Sequence, residues 1–338
     1  VSVRARVLAF VALTVLLAVA ATGYVVVERR EVRAERAAEP DAEQAPITSV
    51  TTGPRIVFRH TGTDSEYGVV AVVPLDDPDG PRAFTDVSCD RVAARSTGAS
   101  CLVTDPGVTT SFEARTFDAD WREVGREDLP GIPSRTRLSP DGTLVASTVF
   151  VAGHSYMSTG FSTATEVHAV DGDERWGNLE DFQLVVDGRR VNPVDRNVWG
   201  VTFADDETFY ATVATGGRTW LVEGDLAERT LTSISSDAEC PSISPDGTRV
   251  AFKVDVDPGS RVVWQVAVQD LATGERTLLV EGPRGLDDQV EWLDDDTILY
   301  GMPRTDEPGV TDTWAVDTTP DATPRLLIEQ AWSATVVR

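Results

Sequence analysis

Lysine is almost missing from this chain: Lys253 stands alone against an arginine background in 338 residues. We read that imbalance as codon usage in a GC-rich genome, not as function. Histidine occurs three times, as His60, His154 and His168, with no paired-histidine spacing. Cysteine also occurs three times, with no C-x-x-C pair. Zinc needs three or four such ligands at suitable spacing, so a zinc centre is not expected. A serine nucleophile elbow, G-x-S-x-G, is missing too. Gly153-His154-Ser155-Tyr156-Met157 ends in Met157 where glycine belongs, and Gly160-Phe161-Ser162 fails at Ala164. Basic excess is absent as well, because the formal net charge is −25. The arginines and acids of residues 1–46 cancel, so the whole excess lies on residues 47–338. Such a body repels phosphate backbones and anionic headgroups, which argues against nucleic-acid binding. A solvated acidic surface is the plain reading. Attraction of cations or basic partners is the functional one.

One long apolar run is present. Val7 to Val27 carries no charge. As a helix rising ~1.5 Å per residue it reaches roughly 31 Å, the thickness of a bilayer core. Arg4 and Arg6 precede it, and "ERREVRAER" follows. A signal peptide cleaved after Ala18-Val19-Ala20 is the competing reading. Gly23 to Val27 prolong the run beyond that site, which favours an uncleaved anchor. The arginines after the run oppose export under the positive-inside rule. A short basic amino end leading straight into an apolar run favours it. The expected organisation is a basic amino terminus over 1–6, a transmembrane signal anchor over 7–27, a charged stalk over 28–46, and one globular body over 47–338.

That body contains the same phrase twice. "LSPDGTLVAS" spans Leu138 to Ser147, and "ISPDGTRVAF" spans Ile243 to Phe252. Proline presets φ, and glycine supplies the positive φ that closes a reversal. An alternating apolar stretch follows each copy, so the phrase reads as strand, tight turn, strand. "FADDETFYAT" and "WLDDDTILYG" are degenerate copies. Aligned on Thr143, Thr208, Thr248 and Thr297, the steps are 65, 40 and 49 residues. Two of the three match four-stranded propeller blades of about 40–50 residues. The expected fold is all-β, a six-bladed propeller with seven blades as the alternative, preceded by a single transmembrane helix. Two blades lie before Leu138 and four from it onward. The tail Ala334 to Arg338 is expected to add a strand that closes the ring.

These "SPDGTxVA" turns and the rhythm of residues 130–330 resemble the TolB-type propeller repeat. The resemblance implies a periplasmic or envelope-associated six-bladed propeller that binds other proteins through one face and a central channel. The same repeat occurs in propellers of prolyl-oligopeptidase-type enzymes. The chain departs from that family in having an apolar run and spacer where a small domain would stand, and in lacking the signature in its first two blades.

The stretch between Thr148 and Gly200 breaks the repeat and holds the residues best suited to binding. They are His154, Tyr156, Phe161, Trp176, Asn178, Glu180, Asp181, Phe182 and Trp199. Aromatics with a polar handle carry contact energy. The alternative is that Phe161, Trp176 and Trp199 fill gaps between blades and that Glu180 and Asp181 are solvated. Cys89 and Cys101 bracket a short hairpin and are candidates for a disulfide in an exported protein. Cys240 is left as an apolar filler. Asp171 and Asp173, Asp255 and Asp257, and Asp294 to Asp296 are the candidates for a structural calcium, although no EF-hand spacing occurs. No other cofactor is implied.

The expected function is a membrane-anchored, extracytoplasmic propeller, a non-catalytic module for a protein or another envelope component, with an acidic channel. The alternative is a hydrolase or lyase at the channel mouth, which requires His, Glu, Asp or Arg to converge there with perturbed pKa values.

Overall fold

A computed structural model of the chain describes residues 2–36, 42–50, 52–107, 109–151, 162–257, 263–279, 286 and 288–338. Two compact units result. The first contains residues 1–42 and 62–67, and its main element is the α-helix Val3–Arg36. Residues Val3–Glu28 of that helix are long and apolar enough to cross a membrane, as anchors and signal sequences both are.

The second unit, residues 43–61 and 68–338, is a six-bladed β-propeller. Blade 1 takes its innermost strand from the carboxyl end, Ala331–Val337, and its other three from Arg55–His60, Val69–Pro74 and Ala83–Ser88. The ring is therefore closed by pairing the two ends of the propeller, with Arg55 opposite Val337. This leaves no free edge at the join. Blade 2 runs from Arg91–Arg95 to Glu123–Asp128, and blade 3 from Ile132–Leu138 to Arg175–Asn178. Blade 5 runs from Glu239–Ile243 to Arg276–Leu278, and blade 6 from Glu291–Trp292 to Arg325–Ile328.

Blade 4 is larger. Its four strands, Asn197–Phe203 to Thr230–Ser236, are extended on the outside by the hairpin Gln183–Val186 and Arg189–Val191, which pairs parallel to the outermost strand. This hairpin supplies part of the 65-residue step. The stretch read as one long insertion also contains the two outer strands of blade 3, Ser162–Ala169 and Arg175–Asn178.

The repeated phrase forms the turn between the first and second strands of blades 3 and 5. The side-chain oxygens of its Ser, Asp and Thr are all hydrogen-bonded. Ser139 Oγ donates to Asp141 Oδ1 (2.5 Å) and accepts from Leu144 N (2.9 Å). Asp141 also accepts from Thr143 N (2.9 Å), and Gly142 closes the reversal at φ +78°. Ser244, Asp246, Thr248 and Gly247 repeat these bonds, with Gly247 at φ +71°. Hydrogen bonds from Ser244 and Thr248 hold the Asp246 carboxyl below the usual aspartate range. Thr208 and Thr297 open the second strands of blades 4 and 6, one residue beyond the place that Thr143 and Thr248 take: Val170 N and Leu271 N donate to Thr143 O and Thr248 O, whereas Leu226 N and Thr318 N donate to Glu207 O and Asp296 O.

The core lies between blades, as it must when a single sheet cannot cover its own faces. Phe203, Phe209 and Phe182 pack in edge-on contacts between blades 3 and 4. Each such ring contributes roughly 2–3 kcal/mol by leaving water. Hydroxyl groups stitch the same seams. Thr165 Oγ1 donates to Val198 O (2.5 Å), Cys240 N donates to Thr212 Oγ1 (2.8 Å), and Thr313 Oγ1 donates to Ala331 O (3.0 Å).

Candidate functional site

All six innermost strands run in the same direction, so their carboxyl ends converge on one face. The first-to-second-strand turns of blades 2 to 6 stand there, and Arg338 takes the equivalent place in blade 1. A cavity of about 280 Å³ opens at the axis on this face. Every blade lines it: Arg338, Arg95, Arg137, Thr202, Ser242 and Glu291 come from blades 1 to 6 in turn.

The floor of this cup is charged. Arg137 of blade 3 reaches across the axis to Glu291 of blade 6 and forms an ion pair in which both side chains are about nine-tenths buried. Arg137 also donates to Val290 O (2.6 Å), and Glu291 accepts from Val336 N (3.4 Å). Farther along the axis Arg91 pairs with Asp288 (2.9 Å). Gln289 bridges blades 4 and 5 through Val201 O (3.1 Å) and Pro241 O (2.8 Å). These bonds cross the channel between the inner strands, so the cup has a floor.

The expectation of an acidic channel is corrected. The two cavities along the axis are lined by Arg91, Arg95, Arg135, Arg137 and Arg338, against Asp288 and Glu291. The negative charge lies instead on the turns and outer strands, where side chains reach water at little cost. Burial pushes Arg91 down to about 10, with the nearby Arg135 adding to the effect. Burial also lowers Arg95. Glu291 opposes that shift, and Arg137 and Arg338 reinforce it.

A ring of acids stands above this floor. The turns of blades 2 and 3 meet where Thr97 Oγ1 donates to Asp141 O (3.3 Å). Those of blades 5 and 6 meet where Asp246 N donates to Asp295 Oδ1 (3.0 Å). Asp206 in the blade 4 turn is raised by partial desolvation and by Asp141 beside it. The site is thus a basic cup with an acidic rim.

The residues singled out from sequence are placed elsewhere. His154, Tyr156 and Phe161 lie outside the described residues. Asn178, Glu180 and Asp181 come together at the opposite end of the blade 3–blade 4 seam. With Ser162, Thr163 and Arg196 they line a cleft of about 380 Å³. Asn178 caps the short helix Leu179–Asp181 by accepting from Glu180 N (3.0 Å). Trp176 packs against the core between blades 3 and 4, Phe182 is buried in it, and Trp199 is buried on the innermost strand of blade 4. Asp181 is exposed, but Glu180 turns inward. It accepts from Thr163 Oγ1 (2.8 Å), Val198 N (3.0 Å) and Thr165 N (3.2 Å). Burial pushes its carboxyl up to about 7, and these hydrogen bonds offset only part of that rise.

Cys89 and Cys101 are joined, tying the end of blade 1 to the second strand of blade 2, and Cys240 is buried as a free thiol. Among the described residues no three His, Cys, Asp or Glu side chains converge to hold a metal ion. The candidate calcium carboxylates shape turns: Asp255 accepts from Asp257 N (3.1 Å) and Val263 N (3.1 Å), and Asp294 accepts from Asp296 N (2.9 Å).

Sequence reasoning missed Arg95, Arg137, Glu291 and Arg338. The available signal was the pairs Arg91/Arg95 and Arg135/Arg137, at even spacing on innermost strands just before their turns.

No family model and no curated protein sequence matches the chain. Solved structures do. TolB from Acinetobacter baumannii superposes with a TM-score of 0.56 at 15% identity, covering 86% of this chain and 69% of that one. A chain of the nidogen/laminin complex superposes with a TM-score of 0.55 at 14% identity, covering 84% of this chain and 98% of that one. At such identities the likeness is one of architecture: the chain has the fold of the TolB-type six-bladed β-propellers.

Proposed function

We propose that the protein is a membrane-anchored, extracytoplasmic propeller that binds a protein or other envelope component without catalysis, and that the cup is its contact point. The observation that carries this reading is the state of the polar groups in the cup. Glu291, the one carboxylate side chain lining the cup among the described residues, is held by Arg137 and by a backbone N–H, so it is poorly placed to take a proton from a substrate. Ser244 Oγ donates to the turn carboxylate of Asp246, whose pKa is lowered by this and neighbouring hydrogen bonds, which makes it a weak base for activating the hydroxyl. Convergence of Arg and Glu on one end of the channel is the point in favour of a hydrolase or lyase. The fixed pairing of those groups favours recognition instead.

The fold likeness to TolB and to a chain of the nidogen/laminin complex supports a binding module. The apolar helix Val3–Glu28 supports an anchor, and the Cys89–Cys101 bond supports an oxidising compartment.

The test is site-specific photo-crosslinking in the native envelope. A crosslinker at Thr97, on the rim, should give a discrete adduct. One at Val194, which is fully exposed on the other face, should not. Arg338→Gln should weaken the Thr97 adduct. Equal labelling from both sites, or no adduct together with turnover of a sugar or peptide substrate, would overturn the reading.

A further inference from the structure

The cup holds more positive charge than its own acids neutralise. Glu291 is committed to Arg137 and acts on Arg95 only through space, so Arg95 and Arg338 form no direct ion pair with a carboxylate among the described residues. Arg95 is held only by backbone carbonyls, through Nη1 to Ala94 O (3.0 Å) and Nη2 to Leu138 O (3.4 Å). Arg338 donates to Trp292 O (2.8 Å) and Leu293 O (3.0 Å). The Nε of Arg137 is buried with no hydrogen-bond partner among the described residues. Guanidinium groups with spare donors, Arg95 desolvated and Arg338 at the mouth, favour a planar oxyanion that can take two parallel bonds.

The rim sets the other half of the selection. Asp141, Asp206, Asp246 and Asp295 stand on the turns around the opening, in a chain whose formal charge is −25. An extended polyanion is repelled before it reaches the floor. A ligand with one negative group and a neutral or cationic remainder is attracted by both layers. At about 280 Å³ the cup admits a group of side-chain size, not a folded element.

We propose that the cup binds a single carboxylate group carried by a ligand that is otherwise neutral or basic, with Arg95 and Arg338 as its guanidinium partners. This rests on the binding reading above and names the chemistry of its contact. The carboxylate belongs either to a protein segment, as an acidic side chain or free carboxyl end, or to a small organic acid.

The experiment is isothermal titration of the full chain in detergent micelles. The probes are acetyl-Lys-Lys-Ala with a free carboxyl end, the same peptide as its amide, acetate, and ATP as a polyanion. The free-acid peptide should bind at least tenfold more tightly than its amide. Arg95→Gln and Arg338→Gln should each weaken it at least tenfold. Arg338 is exposed at the chain end, so its variant is expected to fold even where Arg95→Gln does not.

Weak or no competition by acetate assigns the carboxylate to a protein segment. Displacement by acetate at peptide-like concentrations assigns it to a small organic acid. Equal binding of acid and amide, tighter binding of ATP, no binding of any probe, or full affinity in Arg338→Gln would overturn the proposal. Rim adducts that persist alongside such a result would leave the binding reading standing. Carboxylate binding without any rim adduct would do the reverse.

Discussion

Arg137 and Glu291 lie 154 residues apart in sequence and form an ion pair across the axis of the propeller. Blades 3 and 6 are opposite members of a six-membered ring, so this pair is a strut across its diameter. Burying two charges is costly, and losing one partner leaves the other uncompensated. Arg137→Met and Glu291→Leu should each destabilise the propeller by roughly 3–5 kcal/mol, and the double variant should recover most of that loss. Guanidinium melts of the four proteins test this. Single variants costing under about 1 kcal/mol would mean that water screens the pair.

The two SPDG turns have the same internal bonds but different surroundings. A Cβ on Gly142 would stand 2.0 Å from Thr97 Oγ1, whereas one on Gly247 meets nothing within 4 Å. Both glycines have positive φ, so each alanine variant carries a backbone cost of about 1 kcal/mol. Gly142→Ala should therefore lower the melting temperature clearly more than Gly247→Ala. Thr97→Ala in the same chain should narrow the gap. Equal effects would show that the blade 2 and blade 3 turns are not in contact.

The strands and turns were legible because their signals are local. Thr143 and Thr248 repeat one turn, and alternation after each marks the second strand. Closure was legible for a similar reason, since the tail around Val336 reads as a strand with no sequential partner. The cup was not legible. Nothing near Arg137 or Glu291 in sequence states that blades 3 and 6 face each other. Glu180 was misread for a related reason. An acid beside Asp181 looks solvated until Thr163 and Val198, from two blades, are brought around it. Phe182 looked like a contact residue because aromatic anchors and aromatic core fillers have the same local sequence.

Glu180 carries the clearest pH dependence. Its carboxyl is raised from 4.5 to about 7, so the folded state favours the protonated form. That contribution is fully present below about pH 4.5 and is lost as pH rises through about 7. Comparison with Glu180→Gln isolates it. From pH 4.5 to 8 the wild type should lose up to about 3 kcal/mol relative to the variant. Asp246, whose pKa is lowered, acts in the opposite sense and only at more acidic pH. Denaturation midpoints across this window supply the measurement. A constant difference would place Glu180 in water.

The Cys89–Cys101 bond joins blade 1, the blade built from both ends of the propeller, to blade 2. It closes a loop with a sequence separation of 12, worth roughly 3 kcal/mol in the chain-entropy model. Reduction, or Cys89→Ala with Cys101→Ala, should lower stability by about that amount and loosen the blade next to the closure. Thiol counting gives an independent check. The native protein should react with no alkylating agent, because Cys240 is buried. Unfolded without reductant it should show one thiol, and with reductant three. Three thiols before reduction, in protein taken from its own cells, would remove the bond and with it a main argument that the propeller lies outside the cytoplasm. The Arg137–Glu291 strut does not depend on redox state, so its double-variant cycle should read the same with or without reductant.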